Sequence, residues 1–279
     1  LKTIANADGR THSQKCSKCD YAAEAEAHDF TKRTSFDGGS TYFIVCEQCE
    51  ALLAARYDNV KYASLQAAVN AAKGSGGTVT LAQEVAEDVT VADGMVTIDL
   101  NDQKWGRNRS DGKVPLTVTG GKVTLQNGKL HQNGSSFDAC VGVVINGGSL
   151  TVAGNVSIRG GQMDPTTTKQ SIDLQSGSLT LSEGTALLTG LQVPSDKKLA
   201  DYLPTGTAFV KCSYDENGNI IVSQDYVSSA YATNETTESM AVVAHTHSCT
   251  AANAYKCDCG LICTHKTFKD GKCSICGYD

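Results

Sequence analysis

The chain has 279 residues, enough for two or three units or for one extended repeat architecture. Its 24 Lys+Arg against 30 Asp+Glu leave a formal net charge of -6, which removes the basic footprint that binding to phosphate backbones relies on and argues against a nucleic-acid partner. No apolar run approaches the roughly 18 residues of a membrane span. Leu1 runs into "KTIANADGRTH" with no charged-then-apolar leader, so a mature or excised fragment is expected.

Residues 1–58 read as a small polar module. Two C-x2-C pairs, Cys16/Cys19 and Cys46/Cys49, are separated by a hairpin-sized stretch containing "DGGS", the arrangement of a four-cysteine zinc ribbon. His28 lies between the pairs and is a candidate to displace one cysteine, whereas His12 is read as a surface residue. A unit of this size buries too little apolar area to fold unaided, so a metal staple has an energetic reason to be there.

Next comes "YASLQAAVNAAKGSGG", in which Leu65, Ala68, Val69 and Ala72 recur at i, i+3, i+4 and i+7. Ser64 is placed to cap the start and Gly74 to stop it, which predicts one amphipathic helix. From Thr78 the period changes to two. Residues 116–118, 123–125 and 128–130 form a first set of three short strands. Residues 143–145, 150–152 and 156–158 form a second, and 172–174, 179–181 and 185–187 a third, with an earlier, less regular set at 79–81, 89–91 and 96–100.

Three short strands per period are what one coil of a right-handed parallel β-helix requires. The predicted fold is therefore mainly β: a short right-handed parallel β-helix of about four coils with an N-terminal capping helix, flanked by small zinc-binding modules. An antiparallel sandwich with hairpin turns at "TGGKV", "NGGSL" and "QSGSL" is the competing reading.

After Gly190 a short helix is expected around 196–202, then two strands joined at Asn217-Gly218. The stretch "SSAYATNETTESM" reads as an extended linker. These breaks divide the chain into 1–58, 59–226 and 227–279.

The last segment carries Cys263, His265, Cys273 and Cys276 in a C-x-H-x7-C-x2-C pattern, and His247, Cys249 and Cys257 repeat its first three positions with Cys259 one short of the fourth. Two tandem tetrahedral sites follow, with His245 as a spare ligand. Counting the N-terminal ribbon, about three structural Zn²⁺ per chain are expected. A complete protein shell leaves no vertex for water, so none of these sites is read as catalytic. Disulfides in an oxidising compartment are the alternative use of the same cysteines.

The lone Cys140 and Cys212 are read as buried small apolar residues. The zinc-peptidase H-E-x-x-H pair, the G-x-S-x-G elbow and the phosphate-binding Gly-Lys-Ser/Thr loop are all absent. Asp99 and Asp173, in "TIDLN" and "SIDLQ", are read as outward solvated positions on one side of the winding, and Asn101, Thr119, Asn146 and Gln175 as a polar turn ladder. His131 and Trp105 are placed in the longer turns, and no catalytic or cofactor-binding residue is assigned.

The stretch "ASLQAAVNAAKGSGGTVTLAQEVAEDVTV" with "GKVTLQNGKL" and "GGSLTVAGNVSI" resembles the pectate-lyase-like β-helix segments of large cell-surface proteins of Gram-positive bacteria. "DGRTHSQKCSKCDY", "EAHDFT" and "CTHKTFKDGKCSICGYD" are similar to the short Cys/His modules that punctuate such proteins. The resemblance implies an extracellular, wall-associated or secreted protein whose partners are a host glycan, a host protein or neighbouring domains. A non-enzymatic adhesin, ligand-presenting or spacer segment is the expected function, and a fragment of a carbohydrate-active lyase or hydrolase the alternative.

Overall fold

The computed structural model describes residues 1–35, 42–106, 113–132, 141–161, 169–215, 219–247, 256–262, 268–269 and 272–273. The chain is mainly β, with one α-helix and a large mixed sheet. The first strands are short: β1 (Lys2–Ala5), β2 (Thr11–Lys15) and β3 (Glu26–Ala27) form an antiparallel sheet, and β4 (Lys32–Thr34) pairs antiparallel with β5 (Phe43–Val45). Strands β6 (Ala55–Tyr57) and β7 (Val60–Tyr62) form a hairpin leading into α1 (Leu65–Ala72).

The helix sits where its apolar period placed it, with Leu65, Ala68, Val69 and Ala72 all buried and the Ser64 hydroxyl accepting from the Ala67 amide. A second capping group comes from far along the chain. The Glu87 carboxylate accepts from Ser64 Oγ at 2.6 Å and from the amides of Leu65 and Gln66 at 2.6 and 3.2 Å. Negative charge on these open N–H groups is also favoured by the helix dipole.

Beyond the helix lie β8 (Thr78–Leu81), β9 (Val89–Val91), β10 (Met95–Asp99), β11 (Lys104–Trp105), β12 (Leu116–Val118), β13 (Lys122–His131), β14 (Val143–Arg159), β15 (Ile172–Leu181), β16 (Ala186–Leu187) and β17 (Leu191–Gln192). Their pairings are parallel and fall into three ladders. One runs Val89, Leu116, Val143, Ile172, Leu191. Another runs Val79, Ile98, Leu125, Val152, Leu181, and the third Trp105, Leu130, Ile158, Leu187.

Every residue just named is at most 1% exposed, and all of them belong to one continuous core. Buried rows of branched aliphatics stacked strand over strand supply the dominant stabilisation, about 1.5–3 kcal/mol per fully buried side chain before entropy is charged against it.

The parallel register excludes the hairpins that the competing sandwich reading placed at "TGGKV", "NGGSL" and "QSGSL". The strands flanking each of these turns pair with strands a period away rather than with each other. Glycine makes the corner possible. Gly94, Gly121, Gly148 and Gly177 all have positive φ, and a Cβ on Gly148 would lie 2.5 Å from the Gly120 carbonyl carbon and 2.6 Å from the Gly121 oxygen.

Three expectations change here. The earliest regular set is β9, β10 and β11, so Val79–Leu81 belongs one period before it and Trp105 is a buried strand residue with its indole N–H on the Glu87 carbonyl at 2.8 Å. Asp99 and Asp173 lie on different ladders, Asp99 opposite Gln126 and Asp173 opposite Val144. The similar local strings "TIDLN" and "SIDLQ" occupy different walls, because only the long-range register says which strand of a period a string belongs to. Asn101 accordingly falls outside the row formed by Asn146 and Ser176, whose side chains meet at 3.1 Å.

The remaining strands close the far end: β18 (Thr207–Tyr214), β19 (Ile220–Tyr226), β20 (Glu235–Thr236) and β21 (Met240–Ala244). β18 and β19 pair as expected, with the Asn217-Gly218 turn lying outside the described residues, and the helix near 196–202 is a 3₁₀ turn, Leu199–Tyr202. The stretch read as a linker is structured. It forms a second 3₁₀ turn, Ser228–Tyr231, and then β20 and β21, which pair antiparallel with β17 and β16. Ala230, Met240 and Val242 are buried, and burying them covers an edge of unpaired backbone groups. Two short strands, β22 (Phe268–Lys269) and β23 (Lys272–Cys273), form a last hairpin. Among the described residues no helix is long and apolar enough to cross a membrane.

Candidate metal centres

Two quartets of histidine and cysteine are gathered by the fold, and in each the ligand atoms lie within 4.8 Å of one another. The first is His12, His28, Cys46 and Cys49. His12 comes from β2, His28 follows β3, and the two cysteines occupy the turn after β5. That turn is set by the Cys46 amide donating to the Ala51 carbonyl at 2.8 Å and the Glu50 amide to the Cys46 carbonyl at 3.0 Å.

Cys49 Sγ lies 3.4 Å from His28 Nδ1 and Cys46 Sγ 3.9 Å from His12 Nδ1. A tetrahedral zinc with bonds of about 2.0–2.3 Å needs donor separations of about 3.3–3.8 Å; the first of these distances falls inside that range and the second just above it. His12 Nε2 faces the Glu26 carboxylate at 3.8 Å, on the side of the ring away from the sulfur. A carboxylate in that position orients a ligating imidazole and raises its basicity.

The other ring nitrogen of His28, Nε2, is buried with no hydrogen bond. Burial, reinforced by neighbouring His12, holds its pKa below the ordinary histidine value, which keeps the ring neutral as a metal ligand must be. Phe30 packs against the ring at 5.1 Å between centroids, and Phe30, Cys46 and Leu53 form a small core that also touches Ala63 and Ala82 of the main body. The Gln83 side chain ties the two together, accepting from the Ile44 amide at 2.8 Å and donating to the Ile44 carbonyl at 3.0 Å.

The second quartet is His245, His247, Cys257 and Cys259. The histidines follow β21 directly, and His245 is pinned by its amide on the Gly206 carbonyl at 2.8 Å. The cysteines sit in a turn bracketed by the Lys256–Ile262 bridge, with the Cys257 amide on the Leu261 carbonyl at 2.8 Å. His245 Nε2 is 3.0 Å from Cys257 Sγ and His247 Nδ1 is 3.4 Å from Cys259 Sγ.

Two tyrosines complete this surrounding. The Tyr226 hydroxyl is 3.1 Å from His245 Nδ1, leaving Nε2 for a metal, and the Tyr231 hydroxyl is 3.3 Å from Cys259 Sγ. Cys257 and Cys259 are at most 1% exposed. Burial pushes the Cys259 thiol up and His247 down from their ordinary values, so in the apo chain both are neutral. A divalent ion reverses that cost for the thiol, because coordination deprotonates it.

The sequence-derived ligand sets are regrouped by the fold. Of the N-terminal set, Cys46, Cys49 and His28 come together, and His12, read as a surface residue, is 4% exposed and joins them. Cys16 and Cys19 stand apart, on the turn between β2 and the Lys15–Ala22 bridge. A four-cysteine site does not form there, because β2 directs His12 inward and carries Cys16 to its outer end. Of the C-terminal set, His247, Cys257 and Cys259 come together and His245 completes them. Cys249, Cys263, His265 and Cys276, together with the side chain of Cys273, lie outside the described residues, as does Cys140.

The other candidate residues do not converge. Cys212 is buried, and burial raises its thiol pKa to about 11. Asp99 accepts from the Asn101 amide and the Gln126 side chain, and Asp173 from the Gln175 side chain, so both serve turns. His131 ends β13 with Nε2 2.8 Å from Ser157 Oγ. A groove of about 870 Å³ lined by Lys129, Asn155, Ser157, Glu183 and the β19 hairpin runs across this face. No family model matches the chain, and neither the curated proteins nor the solved structures contain a match to it.

Proposed function

We propose that this chain is a non-enzymatic module of an extracellular or wall-associated surface protein, acting as a rigid segment for adhesion, ligand presentation or spacing. In this reading the three parallel ladders wind as a right-handed β-helix of the kind found in pectate-lyase-like segments of Gram-positive surface proteins, and structural Zn²⁺ clamps its ends. The observation that carries it is the completeness of the two quartets. Each supplies four protein donors, two histidines and two cysteines, one set on segments that precede the strands of the main apolar core and the other on segments that follow them.

A closed four-donor shell stabilises folding and offers no vertex to substrate. With Cys263, His265, Cys273 and Cys276 as a further site, about three zinc ions per chain follow. The partners are a host glycan or protein, or the neighbouring domains of a larger chain, met along the sides of the ladders.

Metal analysis of the purified chain tests this reading. It expects zinc in at least the two quartets, loss of terminal-module structure on chelation, and survival of the β signal of the ladders. Incubation with a glycan panel expects retention without bond cleavage. Cleavage by the purified chain would move the assignment to a carbohydrate-active enzyme, and near-zero metal with no free thiols would replace the metal sites by disulfides.

A further inference from the structure

Cys16 and Cys19 are left over from the metal quartets and share one closed turn. The turn carrying them is closed by the Cys16 amide on the Tyr21 carbonyl at 3.0 Å and by the Lys15–Ala22 bridge. Within it the Lys18 amide donates to Cys16 Sγ at 3.4 Å, and the Cys19 side chain together with that amide holds the Cys16 thiol below its ordinary pKa. Donors that gather on one sulfur stabilise its thiolate over its thiol.

Cys19 is the exposed one among the described cysteines, and Cys16 is half-exposed as Cys49 is, but without a histidine against its sulfur. Cys46, Cys212, Cys257 and Cys259 are buried. No third or fourth donor joins the pair among the described residues.

We propose that Cys16 and Cys19 form a surface thiol–disulfide exchange site, oxidised by low-molecular-weight disulfides independently of the metal centres. The Cys16 thiolate attacks one sulfur of the small disulfide, forming a mixed disulfide and expelling one small thiolate. The Cys19 sulfur, having lost its proton to solvent, then attacks Cys16 Sγ and expels the second. The protein loses two electrons and two protons as the Cys16–Cys19 bond forms, and one small disulfide becomes two thiols. The same steps run backwards deliver oxidising equivalents to a partner's thiols at the module's outer turn.

The test uses the full zinc-loaded chain and oxidised glutathione, with alkylation, peptide mass mapping and metal content read together. The expected result is loss of two hydrogen atoms from the peptide holding residues 16 and 19, at unchanged zinc content. Cys19→Ser is expected to stall with glutathione on Cys16, and Cys16→Ser to slow modification of Cys19 at least tenfold. The inference is overturned if the pair stays reduced while the metal remains bound. It is equally overturned if oxidation occurs only as zinc leaves, or if the Cys16→Ser/Cys19→Ser double variant binds one zinc fewer, since the pair would then be a metal site. Metal content measured before oxidation reports separately on the quartets.

Discussion

Replacing Gly148 by alanine tests the stacking of the ladder corners directly. Gly148 has φ +63°, a conformation that costs an L-residue about 1–2 kcal/mol. The new Cβ would also lie 2.5–2.6 Å from three backbone atoms of Gly120 and Gly121, none of which can rotate away. Moving one corner off another costs about 1–3 kcal/mol more, giving a loss of about 2–5 kcal/mol. For a chain of this size that lowers the melting temperature by about 5–15 °C.

Gly74 is the internal control: it follows α1, a Cβ there meets nothing within 4 Å, and its φ is not in the left-handed range. Gly74→Ala should be neutral or stabilising by up to about 1 kcal/mol. Urea unfolding followed by circular dichroism measures both variants on the same day in the same buffer. If Gly148→Ala lies within about 0.5 kcal/mol of the parent, or if both variants lose equally, the close backbone approach at that corner is refuted.

Glu87→Ala leaves the Leu65 and Gln66 amides without their carboxylate and should cost about 2–4 kcal/mol in the same assay, with Glu87→Gln recovering part of it. Gln83→Ala removes both bonds to Ile44 at the joint between the N-terminal module and the main body, and should raise the exchange rate of the Ile44 amide while leaving that of Leu125 unchanged.

His131 titrates at about 4, because burial and then Lys129, Arg159 and Lys104 oppose its charge. The unfolded chain therefore takes up a proton that the folded chain refuses between pH about 6.5 and about 4, and stability falls by up to about 3 kcal/mol as pH drops through that window. Unfolding curves of His131→Gln against the parent at pH 7 and pH 4.5 read this term, and parallel pH profiles would exclude it. Cys212 should resist iodoacetamide at neutral pH until the chain is unfolded, as alkylation of the native protein followed by peptide mapping will show.

Much of the strand content was legible from period alone. Leu116 and Val123 begin runs that recur after 27 residues and Gly128 one that recurs after 28, and the observed pairs Leu116–Val143, Val123–Leu150 and Gly128–Val156 keep those offsets. The α1 apolar face was equally plain, because four buried positions on one side of a short helix leave little freedom in phase. Register was harder. "TIDLN" and "SIDLQ" look alike yet lie on different walls, since two-residue alternation says which face a strand buries but not which ladder it joins.

The metal centres were half legible for a related reason. Spacing identified Cys46 and Cys49, which one turn brings together, but two histidines 16 residues apart meet only through the pairing of β2 with β3. The usable signal is composition at the chain ends: each quartet combines one close cysteine pair with two histidines. The stretch "SSAYATNETTESM" misled through its polarity. Its burial depends on a few well-placed residues such as Ala230 and Met240 rather than on average hydropathy.

The antiparallel return of β20 and β21 bears on how far the molecule can grow. A run of like-directed strands offers the next strand of any chain the same invitation it offered its own. Here the two closing strands arrive head to foot, and at the opposite end β6 lies antiparallel on β8 beneath the helix. These antiparallel partners blunt the edges they cover, at Leu191–Gln192, Ala186–Leu187 and Thr80–Leu81, where a further like-directed strand would otherwise find open backbone groups.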